Sequence, residues 1–333
     1  MSNDADDRVG GAEPPKPAGR GVEIVQIPAS LAGQRIDNFL ITRLKGVPRS
    51  LVYKLLRRGE VRVNKGRVKP AHRLAEGDHV RLPPVRRADA EERPAVPAGM
   101  LHDLSDAVLY EDDRLLVLNK PSGMAVHGGS GISAGVIEAL RASRPGGELE
   151  LVHRLDRDTS GCLLISKRRS ALRALHGQMR EGLIDKRYQA LLAGSLPRRV
   201  VQVDLPLRKN QVRGGERIVR VDPLAGKPAR TVFRRVTAYG EATLVDVELH
   251  SGRTHQIRVH AASLGAAVAG DDKYGDEKAN KALRQQGLKR LFLHACALSF
   301  RVREDGPLLR VEAPLPPELQ ALITIMAQRS VAS

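Results

Sequence analysis

The string His153-Arg154-Leu155-Asp156-Arg157-Asp158-Thr159-Ser160-Gly161 runs straight into Cys162-Leu163-Leu164-Ile165. The second string is short, continuous and apolar, the pattern of a buried strand. A polar cluster therefore sits at the entrance to a strand that the core holds still. Two carboxylates and two guanidiniums fall between Arg154 and Asp158. Taken alone, a mixed-charge run is most often a solvated loop. An ionised Asp beside guanidiniums on a rigid edge is also the requirement for a carboxylate nucleophile.

Bulk composition narrows the partner. The chain has 333 residues, room for two domains, and a formal net charge of +17. Such an excess suits a polyanion, either nucleic acid or an anionic membrane surface. No run approaches the roughly 20 apolar residues of a spanning helix. The opening MSNDADDRVGG is acidic and lacks the apolar segment of a secretory signal. Only two cysteines occur, each inside an apolar run, so Cys162 and Cys296 are expected to be packing residues in a reducing cytoplasm. Aromatic residues make up 3% and Trp is absent, which argues against an aromatic stacking platform for single-stranded RNA.

Residues 1–20 carry almost no large apolar side chain and read as a disordered tail. Residues 21–84 read as a small module. Val22 to Ile27 suggests a strand, and Ile36, Leu40 and Leu44 recur at helical spacing, with Phe39 widening the face. A second helix is expected from Pro48-Arg49-Ser50, with Ser50 as N-cap, Leu51, Tyr53 and Leu55 as apolar contacts, and Gly59 as the stop. A turn at Asn64-Lys65-Gly66 follows the strand Val61-Arg62-Val63. Thirteen Lys/Arg face five Asp/Glu across this module. Lys54, Arg57 and Arg58 on the helix, with Arg62 and Lys65 on the hairpin, are candidates for one basic face suited to a polyanion. Residues 85–104 are charged and Pro-containing and read as an extended linker. A catalytic domain is expected over 105–325.

Within it, Val108 to Tyr110 and Leu115 to Leu118 predict a hairpin. Leu172, Leu175 and Met179 mark a helix ended by Gly182. The basic stretch 208–235 is expected to include an exposed hairpin, and Thr243 to Leu249 alternates as a strand. Ser251-Gly252-Arg253-Thr254 is expected to cap a helix containing His255 to His260. His255 and His260 lack a third partner, so no metal site is expected. A deaminase would need H-x-E and P-C-x-x-C strings, and neither is present. A glycosidase would need two carboxylates flanking a bond, and Asp156 with Asp158 would meet that only by accident.

The whole string HRLDRDTSG resembles the signature of the RluA-type pseudouridine synthases. EDD…LLVLNKPSGMAVHGGSG, Lys186-Arg187-Tyr188, GRTHQIRVH, Gly270-Asp271-Asp272-Lys273-Tyr274-Gly275 and RLFLHA match further strings of that family in the same order. GQRID, Ser50, GEVRVN and EGD resemble the S4 RNA-binding domain. The resemblance implies an α+β architecture: an S4 domain, then a catalytic domain on a mixed, mostly antiparallel sheet. It implies conversion of uridine to pseudouridine without cofactor or metal. Asp156 would be the nucleophile, attacking C1′ or uracil C6. Arg258 would pair with it, and Tyr188 would pack on the base and assist loss of the C5 proton. Arg154 would fill the space left by the flipped base. Arg157, Arg253, His255 and Leu293 are further substrate-side candidates, whereas His127 is expected to be structural or close to the RNA. The N-terminal strings are similar to a subgroup acting on large-subunit ribosomal RNA. The expected partner is therefore that RNA, met during assembly by a monomer that binds no membrane. Other ribosomal or transfer RNA uridines, or a non-catalytic assembly role, are the alternatives.

Overall fold

A computed structural model describes residues 21–44, 47, 49–84, 98–128, 134–211 and 217–332. The expected tail, most of the linker and the Gly129-Ser130-Gly131 segment lie outside these. The chain divides into two compact units, residues 1–94 and 95–333.

In the first unit β1 (Glu23–Gln26), β2 (Arg62–Val63) and β3 (His79–Leu82) form an antiparallel sheet in the order β1-β3-β2. Helices α1 (Ile36–Arg43) and α2 (Arg49–Arg58) pack with it around Ile36, Leu40, Val52, Leu55, Leu56 and Val80. The turn after β2 places Asn64 and Lys65 at φ 48° and 68°. Two expectations change here. Ser50 lies inside α2, which begins one residue earlier, so it is not the cap. Tyr53 is 38% exposed; its hydroxyl donates to the buried Asp37 at 3.2 Å instead of joining the apolar face. Asp37 also accepts two bonds from Arg35, and these hold its carboxyl below the usual range. The GQRID string is thus a structural clasp. Lys54, Arg57, Arg58, Arg62 and Lys65 are all exposed.

The first described element of the second unit is α3 (Ala98–Asp106), so residues 98–104 of the stretch read as linker are helical. Met100, Leu101 and Leu104 recur at helical spacing and pack on the core, which fixes the end of the stretch read as linker. Then follow β4 (Val108–Glu111), β5 (Leu115–Lys120), α4 (Val136–Ser143), β6 (Glu150–Leu151), β7 (Ser160–Ser166), α5 (Arg169–Glu181), β8 (Asp185–Ala193) and β9 (Val200–Asp204). The chain continues through β10 (Leu207–Gln211), β11 (Arg217–Val221), β12 (Arg230–Tyr239), β13 (Ala242–Leu249), α6 (Gln256–Ser263), α7 (Glu277–Gln285), β14 (Leu293–Arg301), β15 (Leu308–Glu312) and α8 (Pro317–Ala332).

The main sheet runs β4-β5-β7-β14-β8-β13-β12-β9, with β6 beside β7 and β15 beside β14. Every pairing is antiparallel except β7 with β14. The fold is therefore α+β on a mixed, mostly antiparallel sheet. All seven residues of β7 are buried, as its continuous apolar run requires. Gly161 stands at φ +106°, where a Cβ would collide with the carbonyl of Ala295 on β14. Glycine is needed there for the parallel strands to meet. Cys162 and Cys296 are free, and burial raises their thiols to about 12 and about 11. Hairpin β10–β11 stands apart from the main sheet; the tip between its strands is not among the described residues. No helix among the described residues is long and apolar enough to cross a membrane.

Candidate active site

The loop between β6 and β7 alternates its side chains. Arg154 is exposed, Leu155 is buried with the main core, and Asp156 stays partly open. Burying Leu155 contributes roughly 1.5–3 kcal/mol and pins Asp156 in place. The loop backbone is held from outside as well. Lys120, fully buried at the end of β5, donates to the carbonyls of Pro121, Met124 and Arg157 at 2.7, 2.8 and 2.9 Å. Burial lowers its pKa to about 7, while Asp158 and Asp156 favour the charged form. Three carbonyl acceptors satisfy all three ammonium protons, so the cation is at home there. Ser122 adds a bond to the carbonyl of Asp158 at 2.7 Å. Ser160, at the far end of the loop, meets Arg290 at 2.6 Å and His294 at 2.9 Å.

Asp156 faces α6 and the segment before it. Arg258 Nη1 lies 3.5 Å from Asp156 Oδ2, and His255 Nε2 lies 3.9 Å from Oδ1. The resemblance supplied one carboxylate for Arg258; the structure supplies two. The closer is Asp271, which accepts from Nε and Nη2 at 2.7 Å each and is fully buried. Burial works to raise the Asp271 pKa, but the Arg258 guanidinium outweighs it and holds the carboxyl below the usual range. A two-pronged bond of this kind fixes the plane of the guanidinium, which leaves Nη1 directed at Asp156.

His255 does not belong to α6. It precedes the helix with φ 52° and ψ 22°, a left-handed conformation that is unfavourable for a side chain of its size. Gln256 organises this entry. Its carbonyl accepts from Ser251 and from the Arg253 backbone, and its amide donates to the carbonyl of Arg230 and to Thr231. His260 sits apart, fully buried between Thr231 and the carbonyl of Leu205.

Asp156, Tyr188, Arg258, Arg154, Arg253, His255 and Leu293 all line one cavity of about 340 Å³. That volume is at the small end for ligand pockets and suits a nucleoside-sized group. Tyr188 on β8 and Leu293 on β14 are buried and contribute apolar surface. Burial, then the charge of Asp156, raises the Tyr188 phenol above its ordinary pKa, so it stays neutral. The cavity meets a broad cleft of about 1450 Å³, to which Arg154, Asp156, His255 and Arg258 also contribute. Arg157 lines the cleft and pairs with Asp158 at 3.0 Å. Lys54, Arg57, Arg58, Arg62 and Lys65 belong to the other unit. Sequence reasoning gave no role to Lys120, Gln256, Asp271 or Tyr274. The available signals were a lysine closing an apolar strand and two acids inside a matched Gly-Asp-Asp-Lys-Tyr-Gly string.

Comparison with known proteins gives the family of the chain. The family described as RNA pseudouridylate synthase matches residues 114–263, and the S4 domain matches residues 34–80. The chain is 54% identical over 313 residues to "Ribosomal large subunit pseudouridine synthase C" of Salmonella typhi, covering 93% of this chain and 98% of that protein. It is 55% identical over 298 residues to the Escherichia coli (strain K12) protein of that name, covering 88% and 93%. Among solved structures, Human RNA Pseudouridylate Synthase Domain Containing 4 superposes with a TM-score of 0.58 at 22% identity, over 69% of this chain and 96% of that one. Human RNA Pseudouridylate Synthase Domain Containing 1 gives 0.54 at 25% identity, over 72% and 98%. These matches define an RNA-modifying enzyme. The chain belongs to the RNA pseudouridylate synthase family, with an S4 domain ahead of the catalytic part.

Proposed function

We propose that this enzyme isomerises specific uridines of large-subunit ribosomal RNA to pseudouridine, with Asp156 as nucleophile and no cofactor. The names of the relatives given above support the substrate. The observation that carries the site assignment is the position of Asp156, at the junction of a nucleoside-sized cavity and an open cleft, with Arg258 near one carboxylate oxygen. A uridine leaves its stack and enters the cavity. Asp156 attacks C1′ as the carboxylate and the N1–C1′ bond breaks, releasing a uracil anion. The uracil turns, its C5 attacks C1′ and displaces the Asp156 carboxylate, and the C5 proton is lost to solvent as N1 takes one up. Arg258 stabilises the ionised carboxylate. Leu293 and Tyr188 pack on the uracil. Burial and the charge of Asp156 keep the Tyr188 phenol protonated, which favours packing on the base over direct removal of the C5 proton. Arg154 occupies the space the base vacates, where a guanidinium stacks and pairs; Arg157 and Arg253 take the flanking phosphates. The basic face of the S4 unit, Lys54, Arg57, Arg58, Arg62 and Lys65, sets affinity through phosphates. The protein acts in the cytoplasm, as a monomer, on RNA still being assembled.

The test is incubation of the purified protein with unmodified large-subunit ribosomal RNA, followed by mapping of pseudouridines. Conversion at a few discrete uridines is expected. Conversion of transfer RNA alone would keep the chemistry and overturn the substrate; conversion of neither would overturn both.

A further inference from the structure

His255 and Tyr274 are joined by a short bond that the expected chemistry leaves unused. The Tyr274 hydroxyl lies 2.7 Å from His255 Nδ1, and the rings meet edge to face at 5.5 Å. The same hydroxyl oxygen accepts the backbone N–H of Val219 on β11 at 3.0 Å. An oxygen already accepting from Val219 has its own proton to give, and Nδ1 stands in line to take it. The other ring nitrogen faces Asp156 Oδ1 at 3.9 Å. An ionised carboxylate only accepts, so the nitrogen opposite it carries the hydrogen. The Tyr274 contact favours a bare Nδ1, and the carboxylate 3.9 Å from Nε2, beyond hydrogen-bond reach, favours a hydrogen on that nitrogen through charge alone.

We propose that His255 is a positioning residue for Asp156: Tyr274 fixes its neutral Nε2–H tautomer, and that N–H restrains one carboxylate oxygen while Arg258 restrains the other.

Three further features support this. The left-handed backbone of His255 is a strained state of the kind that persists at functional sites because the surroundings enforce it. Tyr274 sits on the loop that Asp271 organises: Asp271 Oδ1 accepts the backbone N–H groups of Lys273 and Tyr274 at 2.9 and 3.1 Å. The Arg258 guanidinium lies over the Tyr274 ring, 5.1 Å from its centroid. One loop therefore sets both groups that approach Asp156. Around the ring stand Asp156, Arg258, Asp271, Lys273 and Tyr274. Burial lowers the His255 pKa, Asp156 opposes that, and Arg258 and Lys273 reinforce it, so the ring is neutral at pH 7 to 8. The separation of 3.9 Å is long for a hydrogen bond, and such contacts often tighten only when substrate is bound.

The test uses the full chain and an RNA transcript that the wild-type protein modifies, under single-turnover conditions from pH 6 to 8.5. Tyr274→Phe removes the donor to Nδ1, and the ring proton redistributes between its two nitrogens. The expected loss is about tenfold at pH 8.5, with RNA affinity unchanged. His255→Gln, whose amide nitrogen reaches the Nε2 position, is expected to outperform His255→Ala at every pH. Equal activity of His255→Gln and His255→Ala, or an effect on RNA affinity alone, overturns the proposal. Nitrogen-15 NMR of histidine-labelled wild-type protein reads the tautomer directly, whether or not Tyr274→Phe folds. A protonated Nε2 beside a bare Nδ1 is expected at pH 8; the opposite tautomer or a charged ring overturns it. The inference rests on Asp156 as the reacting group. If Asp156→Asn still forms pseudouridine while His255 shows the expected tautomer, the failure lies in the site assignment and not in the ring.

Discussion

The two units use positive charge in opposite ways. In the N-terminal unit Lys54, Arg57 and Lys65 are exposed and make no ion pair among the described residues. In the catalytic unit Arg258 and Arg290 are largely buried, and each is gripped by a carboxylate, Asp271 or Glu318. A solvated, unheld cation gives affinity that is screened by salt and indifferent to geometry. A buried, clamped cation offers a field at one point and depends on its clamp. The difference separates binding from positioning, and it can be broken from either side.

The largest expected effect is at the clamp. Asp271→Ala leaves the Arg258 guanidinium buried without its two-pronged partner. Loss of one member of such a pair costs about 3–5 kcal/mol, read as a lower melting temperature, and the turnover of the folded fraction falls with it. Wild-type stability in Asp271→Ala would show that Arg258 is not held in this way.

The next effect is pH dependence, again in the buried unit. His294 is fully buried, and burial pushes its pKa down to about 4. In an unfolded chain the ring titrates near 6.5, so between about 6.5 and 4 the unfolded state binds more protons. The stability due to the neutral ring is complete above that window and declines as the pH falls through it, by up to about 3 kcal/mol. Thermal melts from pH 7 to pH 4 are expected to drop, and His294→Gln is expected to flatten that part of the profile.

The smallest effect belongs to the exposed face. Lys54, Arg57 and Lys65, all changed to Ala, are expected to weaken RNA binding and reduce its logarithmic salt slope by about 2–3. Turnover at saturating RNA and the melting temperature stay as in wild type. A fall in turnover at unchanged affinity would erase the distinction between the units.

How far each unit could be read in advance follows from the same physics. The buried strand β7, helices α1 and α5 and the turn at Asn64-Lys65 are local in origin: apolar period, a stopping glycine, a short polar turn. Tyr188, Arg258 and Leu293 were named through the family strings, and the fold brings them to one cavity with Asp156. Asp271, Lys120 and Gln256 act on partners far along the chain. Lys120, for instance, reaches the carbonyl of Arg157, 37 residues away, and no local pattern encodes such a bond. Helix α3 was hidden for another reason. Pro97 and Gly99 suppress a helical expectation, although Leu101 and Leu104 carried the spacing. The left-handed turn at His255 left only a weak trace: histidine adopts it more often than most residues, but no glycine or asparagine marks the position.

Asp156→Asn under single-turnover conditions bears most directly on the central claim. The amide keeps the size of the side chain and loses the negative oxygen. RNA affinity and melting temperature are expected to match wild type, with no pseudouridine formed at any RNA concentration. Pseudouridine appearing at the same uridines in the purified variant would contradict the account.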